Sequence, residues 1–187
     1  MFVIVEGIHD TGKTSLIEKL CLNSSYLLFQ SKRLFPELAN IRNMSISDFA
    51  TGTNCAIAWF AQSFSETVDV VFDRLHFSEF AYSRLFRDAD LTIAMNRFRI
   101  VDDKLSSHNV KLIYLYCNYN TIFDRCKSKN EQYTEEHHQQ LAEHFCKLLE
   151  VTKIPQCCID TSKNDQEAAF KIATDFLRSK DEKKFVG

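Results

Sequence analysis

Phe2-Val3-Ile4-Val5-Glu6-Gly7-Ile8-His9-Asp10-Thr11-Gly12-Lys13-Thr14-Ser15-Leu16-Ile17-Glu18-Lys19-Leu20 is the stretch that decides the fold of this chain. Four apolar residues with the pattern of a strand run into Gly7 to Thr14, spaced G-x-x-x-x-G-K-T, and the residues after them have the pattern of a helix. Glycine lets the backbone curl into a concave loop whose successive N–H groups converge on one point. A helix opening at Gly12 or Lys13 adds its positive end to that point. Such a loop holds phosphate. At this spacing Lys13 reaches the terminal phosphates of a nucleoside triphosphate and the Thr14 hydroxyl holds Mg²⁺. Gly7, Ile8, His9, Asp10, Thr11, Gly12, Lys13, Thr14 and Ser15 are therefore the candidate triphosphate contacts.

Working outward, short apolar runs alternate with longer helical ones. Strands are expected at 2–6, 26–29, 68–72, 111–116 and 156–159. Helices are expected at 13–22, 46–50, 53–66, 77–106 with a break near Asp88, 119–128, 134–151 and 164–179, the last with Ala168, Ala169, Ile172, Ala173 and Phe176 at helical spacing. Strands separated by helices imply parallel pairing through right-handed crossovers. The expected fold is thus α/β, a five-stranded parallel sheet between helical layers, with ligands at the carboxyl ends of the strands. The charged run Lys180-Asp181-Glu182-Lys183-Lys184 is expected to be a solvated, frayed end.

The 187 residues, 45% apolar and 26% charged, suffice for one core in one domain. A net charge of −2 argues against a broad nucleic-acid-binding face, so the expected partner is a small molecule. Seven cysteines, none in a C-x-x-C pair, suit reduced thiols and a cytoplasmic location. Met1 leads straight into the first strand without a basic leader, so no signal peptide is expected. No apolar stretch approaches the roughly 20 residues that span a bilayer. His137 and His138 are adjacent and lack metal-ligand spacing. Asp102-Asp103 is expected to be an exposed pair on a helix.

A second constellation follows the third strand: Asp73-Arg74-Leu75-His76-Phe77-Ser78-Glu79-Phe80-Ala81-Tyr82. Asp73 and Arg74 close that strand at the edge where the phosphate loop lies. A carboxylate there orients Mg²⁺ or accepts a proton, and an arginine takes a phosphate bidentately.

Together, Glu6-Gly7 through Lys13-Thr14 and Asp73-Arg74-x-x-x-Ser78-x-x-Ala81-Tyr82 resemble the thymidylate kinase family of nucleoside monophosphate kinases. His76, Glu79 and Tyr82 give the second segment the form D-R-x-H-x-x-E-x-x-Y, similar to phage and bacterial members. The resemblance implies a single phosphate-loop kinase domain over 1–187 with a small lid at about 125–135. It implies ATP and Mg²⁺ as cofactors and a deoxynucleoside monophosphate acceptor, dTMP first among them. By the same resemblance Lys13 bridges the donor phosphates, Thr14 and Asp73 serve the metal, and Arg74 and Arg33 hold the acceptor phosphate. Phe60 stacks on the acceptor base, Gln62 meets its edge, and Glu6 and Tyr82 lie on the acceptor side. Arg125 supports the transferring group, and Thr161 borders the adenine. Homodimers are common in the family, and the apolar helix at 53–66 would supply the interface.

The chain also departs from the family. Phe64 stands where the family has a base-reading arginine, and Lys129 where it has a second lid arginine. His9 stands where many members carry an acid, and viral thymidine kinases share that histidine. A deoxynucleoside kinase is therefore the alternative reading; its hydroxyl acceptor needs a base, Asp73 or Glu6. A polynucleotide kinase or a phosphate-loop NTPase is a further alternative.

Overall fold

A computed structural model describes residues 1–30, 46–64, 67–86, 90–126, 134–179 and 183–186; at 46–51, 61, 62, 64 and 183–186 it describes the backbone alone. The elements run β1 (Phe2–Gly7), α1 (Lys13–Ser24), β2 (Leu27–Gln30), α2 (Ile46–Phe64), β3 (Val70–Asp73), α3 (His76–Phe86), α4 (Leu91–Ser106), β4 (Val110–Tyr116), α5 (Tyr119–Cys126), α6 (Glu135–Val151), β5 (Gln156–Asp160), α7 (Gln166–Arg178) and β6 (Lys183–Val186). Arg33 and Lys129 lie outside the described residues, as do most of the expected lid and the side chain of Gln62.

The strands form one parallel sheet in the order β2-β3-β1-β4-β5-β6. The five expected strands are all present, within two residues of the expected bounds. Their apolar side chains alternate between two cores. Phe2, Ile4, Phe72, Leu112 and Tyr114 face α2 to α6, whereas Val3, Val5, Val71, Ile113 and Leu115 face α1 and α7. This is why β1 and β4 read as continuous apolar runs: a central parallel strand is buried on both sides. Because α1 leaves β1 toward one face and α3 leaves β3 toward the other, a crevice opens above the carboxyl ends of these two strands.

Three expectations from sequence are corrected. The segments 46–50 and 53–66 are one helix, α2, which runs through Thr51-Gly52. The break expected near Asp88 is present: α3 ends at Phe86, and Asp90 starts α4 by accepting from the Ile93 amide at 2.9 Å. The tail does not fray throughout, since Lys183–Val186 pairs with β5 and extends the sheet. An open strand edge recruits backbone whatever its side chains, which is why the charge run concealed it.

Asp102 is the third correction, being 3% exposed. It shares a helical stripe with Phe98 and Leu105, and it accepts from the Thr152 hydroxyl (2.6 Å) and the Lys153 amide (3.2 Å). His76 Nε2 lies 3.2 Å from it. Asp103 is exposed, as expected, and pairs with Lys153. No helix among the described residues is long and apolar enough to cross a membrane.

Candidate active site

The phosphate loop joins β1 to α1. Gly7 has φ 145°, and a Cβ there would lie 2.2 Å from the Leu115 carbonyl oxygen of the neighbouring strand, so only glycine fits. Asp10 (φ 53°) and Gly12 (φ 88°) turn the chain twice more into the left-handed region. The first turn of α1 carries no side-chain cap and no acidic residue, leaving its positive end to whatever the loop binds. The Lys13 ammonium, 7% exposed, lies inside the loop and donates to the Ile8 carbonyl and the Thr11 hydroxyl. Thr11 in turn donates to Ile8 O at 3.0 Å. Thr14 is exposed at the start of α1, and Ser15 is half-buried behind it.

Asp73 ends β3, half-buried, with its Cα in register with Val5 on one side and Gln30 on the other. Neighbours in register share a face of the sheet. Asp73 therefore lies on the α1 face with Val5, the face from which Thr14 rises. Hydroxyl and carboxylate are hard oxygen donors that suit Mg²⁺, which commonly takes one or two protein oxygens and completes its shell with phosphate and water. The described residues hold no cluster of three His, Cys, Asp or Glu arranged for a metal.

Arg74 turns to the other face. It is 6% exposed, has φ 68°, and donates from its amide to Val5 O at 3.0 Å. Its guanidinium lies 5.2 Å above the centre of the Tyr82 ring and donates to Ser78 Oγ at 3.1 Å. Burial pushes the Tyr82 hydroxyl pKa up, and the adjacent Arg74 opposes the shift. The His9 ring meets Tyr82 edge-on at 5.1 Å, so His9 packs against this aromatic as well as belonging to the loop. Glu6, expected to face the acceptor, is fully enclosed: its carboxylate accepts from the Leu75 amide (2.7 Å), the Ser78 amide (3.2 Å) and the Ser78 hydroxyl. Phe60 is exposed at the β2 side, edge-on to Phe29 at 5.9 Å.

On the opposite flank Arg125, exposed at the end of α5, donates to Asp10 O (2.9 Å), Thr161 O (3.0 Å) and Thr161 Oγ1 (3.3 Å). Next to it Cys126 Sγ donates to Asp10 Oδ2 at 3.0 Å. Two consecutive residues of α5 thus grip the phosphate loop. Arg125 also borders an open pocket of about 430 Å³ with Gly12, Leu16, Thr161, Asn164 and Asp165. Burial raises the thiol pKa of Cys117, which lies beside Arg125. Sequence reasoning missed Cys126 and Asn164. A cysteine following an arginine carries no signal of its own; it is the fold that brings α5 to the loop.

This architecture is shared with known enzymes. The chain superposes on YorR of Bacillus subtilis, solved in complex with phosphorylated GDP, with a TM-score of 0.73 over 95% of both chains at 18% identity. It superposes on the deoxyadenosine kinase of M. mycoides with bound dATP with a TM-score of 0.65, over 96% of this chain and 100% of that one at 14% identity. A sugar kinase from Janibacter gives 0.59 over 94% and 93% at 16% identity. The chain has the fold of the phosphate-loop kinases. No protein-family profile matches the sequence, and no curated protein aligns with it significantly. The crevice above β1 and β3 has the loop and the Arg125 pocket on one flank and Arg74 with Tyr82 on the other.

Proposed function

We propose that this protein transfers the γ-phosphoryl group of Mg-ATP to a deoxynucleoside monophosphate, with dTMP the first acceptor to test. One observation carries the reading: a phosphate loop with its lysine inside faces a buried arginine on an aromatic ring across a single sheet edge. Lys13 draws the donor phosphates into the loop. Thr14 and Asp73 would hold Mg²⁺, directly or through water, and the ion would supply charge neutralisation for the transfer. Arg74, with Arg33, takes the acceptor phosphate, while Phe60, Gln62 and Tyr82 meet the nucleoside. Arg125, anchored on the Asp10 and Thr161 carbonyls, borders the donor base and reaches the transferring group only on leaving those carbonyls. Catalysis is then mostly positioning and charge neutralisation, since a phosphate acceptor needs no strong base.

A deoxynucleoside acceptor is the second reading. It is favoured by His9 in the loop and by the likeness of fold to a deoxyadenosine kinase. In that case Asp73 is the base, because the enclosed Glu6 carboxylate has its oxygens committed to α3. We further propose that the protein self-associates through the α2–α4 face.

A screen with Mg-ATP tests the reading directly, offering deoxynucleosides and their 5′-monophosphates side by side with Lys13→Ala as the blank. Diphosphate formed from monophosphates is the expected result. Product from nucleosides alone transfers the assignment to the second reading. ATP hydrolysis without product on either set overturns both in favour of a polymer acceptor or an NTPase.

A further inference from the structure

Glu6, Ser78 and Arg74 form a buried, hydrogen-bonded chain. Glu6 is the residue before the loop's first glycine, yet its side chain turns away from the loop, to the other face of the sheet. There its carboxylate accepts from the Leu75 and Ser78 amides at the start of α3 and from the Ser78 hydroxyl. All three side chains are at least nine-tenths buried. A carboxylate enclosed to this degree is stable only where donors surround it, and the amino end of a helix supplies them.

The hydroxyl of Ser78 gives the chain a direction. A serine hydroxyl has one proton and two lone pairs. Its proton goes to Glu6, because an ionised carboxylate only accepts. Its lone pairs therefore face Arg74 Nη1, which donates at 3.1 Å. Glu6 thus fixes the polarity of Ser78, and Ser78 fixes one corner of the guanidinium. The Tyr82 ring beneath, with the His9 ring against its edge, fixes the plane. Arg74 itself is held at φ 68°, a conformation that bulky non-glycine residues adopt mainly where the surroundings enforce it, and such residues cluster at functional sites.

We propose that Glu6 and Ser78 are positioning residues that orient the Arg74 guanidinium toward the acceptor, and that they act through Arg74 alone. The proposal rests on the reading of Arg74 as an acceptor-binding group. It assigns Glu6 a role distinct from substrate contact and from general base, and it couples the first residue of the phosphate-loop motif to the acceptor flank.

The test compares Ser78→Ala, Ser78→Thr, Glu6→Gln, Arg74→Ala and the Ser78→Ala/Arg74→Ala double variant, using the acceptor found in the screen. Ser78→Ala is expected to raise the acceptor KM about tenfold, the loss of one charge-assisted hydrogen bond, with the ATP KM within about twofold of wild type. Ser78→Thr keeps the hydroxyl and restores the acceptor KM. Glu6→Gln keeps the shape but lets an amide donate to Ser78, so it follows Ser78→Ala and serves if that variant does not fold. On the Arg74→Ala background Ser78→Ala adds nothing. Additive effects, or ATP and acceptor KM rising together, overturn the proposal. Crystal structures of Ser78→Ala and Glu6→Gln decide it independently of turnover: a displaced Arg74 guanidinium supports the chain, and one unmoved over Tyr82 in both overturns it. If wild type phosphorylates nothing in the screen, the kinase reading falls while the crystal structures still decide the positioning.

Discussion

In the resting loop the Lys13 ammonium is satisfied by the Ile8 carbonyl and the Thr11 hydroxyl. On the proposed function incoming phosphates would take over those donations, so the lysine would need no new cavity. Lys13→Ala is therefore expected to lower transfer by at least about 100-fold, the scale for removing one preorganised charge-stabilising donor. The lost internal hydrogen bonds cost only about 1 kcal/mol, roughly 2 to 4 °C in Tm. A folded Lys13→Ala protein with normal kcat would remove the loop from the site. Arg74→Ala is expected to raise the acceptor KM at least tenfold, with the ATP KM near wild type, as steady-state kinetics with each substrate varied would show. Equal loss on both substrates would take Arg74 off the acceptor flank. Single residues were legible where their chemistry is local: Gly7, Gly12 and Lys13 declare themselves by spacing. Glu6 did not, because its partner Ser78 lies 72 residues away. Nor did the grip of Arg125 on Asp10, across 115 residues. The backbone turn that sends Arg74 to the other face has no sequence signature either.

At the scale of elements, α7 shows a device that composition hides. Lys111 sits in the apolar strand β4, yet its ammonium is buried against the last turn of α7. It donates to Phe176 O (2.8 Å), Leu177 O (3.2 Å) and Ser179 O (2.7 Å) and lies 4.8 Å over the Phe176 ring. A cation at the negative end of a helix satisfies carbonyls that have no partner within it. Lys111→Met keeps the apolar stem and removes the charge. It should cost about 2 kcal/mol, read as a lower urea midpoint with kcat unchanged at 25 °C. No change in midpoint would mean that water replaces the ammonium without cost. Helix α6 carries a different sensitivity. Burial lowers the pKa of both His138 and His144; a hydrogen bond to Ala81 O opposes the shift at His144, while Arg84 and Lys147 add to it. In the unfolded chain these rings titrate near 6.5. Below that value the unfolded chain holds protons that the folded chain does not. Their contribution to stability is therefore complete above about pH 6.5 and is lost as pH falls through the folded-state values. Urea midpoints at pH 7.5 and 5.5 should diverge less in a His138→Gln/His144→Gln variant than in wild type. Equal divergence would place the acid sensitivity elsewhere. Element positions were readable from period, as with Ala169, Ala173 and Phe176 at helical spacing in α7. The fusion of α2 through Gly52 was not, because tertiary packing outweighs one glycine's propensity.

Across the whole molecule, alternating strands and helices sufficed to anticipate a parallel sheet with its ligand edge at the carboxyl ends, because crossover handedness leaves few topologies. What alternation does not carry is the outer surface. Helices α2 and α4 pack side by side. On the solvent side Trp59 is 62% exposed, while Ile93 and Ile100, two turns apart on α4, are more than half exposed. Isolated exposed apolar residues are ordinary, but a tryptophan and two isoleucines on adjoining helices are what a polar solvent face lacks and an interface core needs. A twofold pairing is the simplest closure, since one patch then serves both partners. Sedimentation equilibrium at micromolar concentration should return twice the mass of the chain. Trp59→Glu with Ile100→Glu should return the single mass, because two buried unpaired carboxylates per subunit oppose the contact. The same variant tests whether association supports the site: α2 also carries Phe60 toward β2, so a loosened α2 should raise the acceptor KM and leave the ATP KM unchanged, as the loop and the Arg125 pocket lie on the far flank. A wild-type chain that sediments as a monomer at every concentration would assign the α2–α4 face to some other contact and leave the crevice complete within one chain.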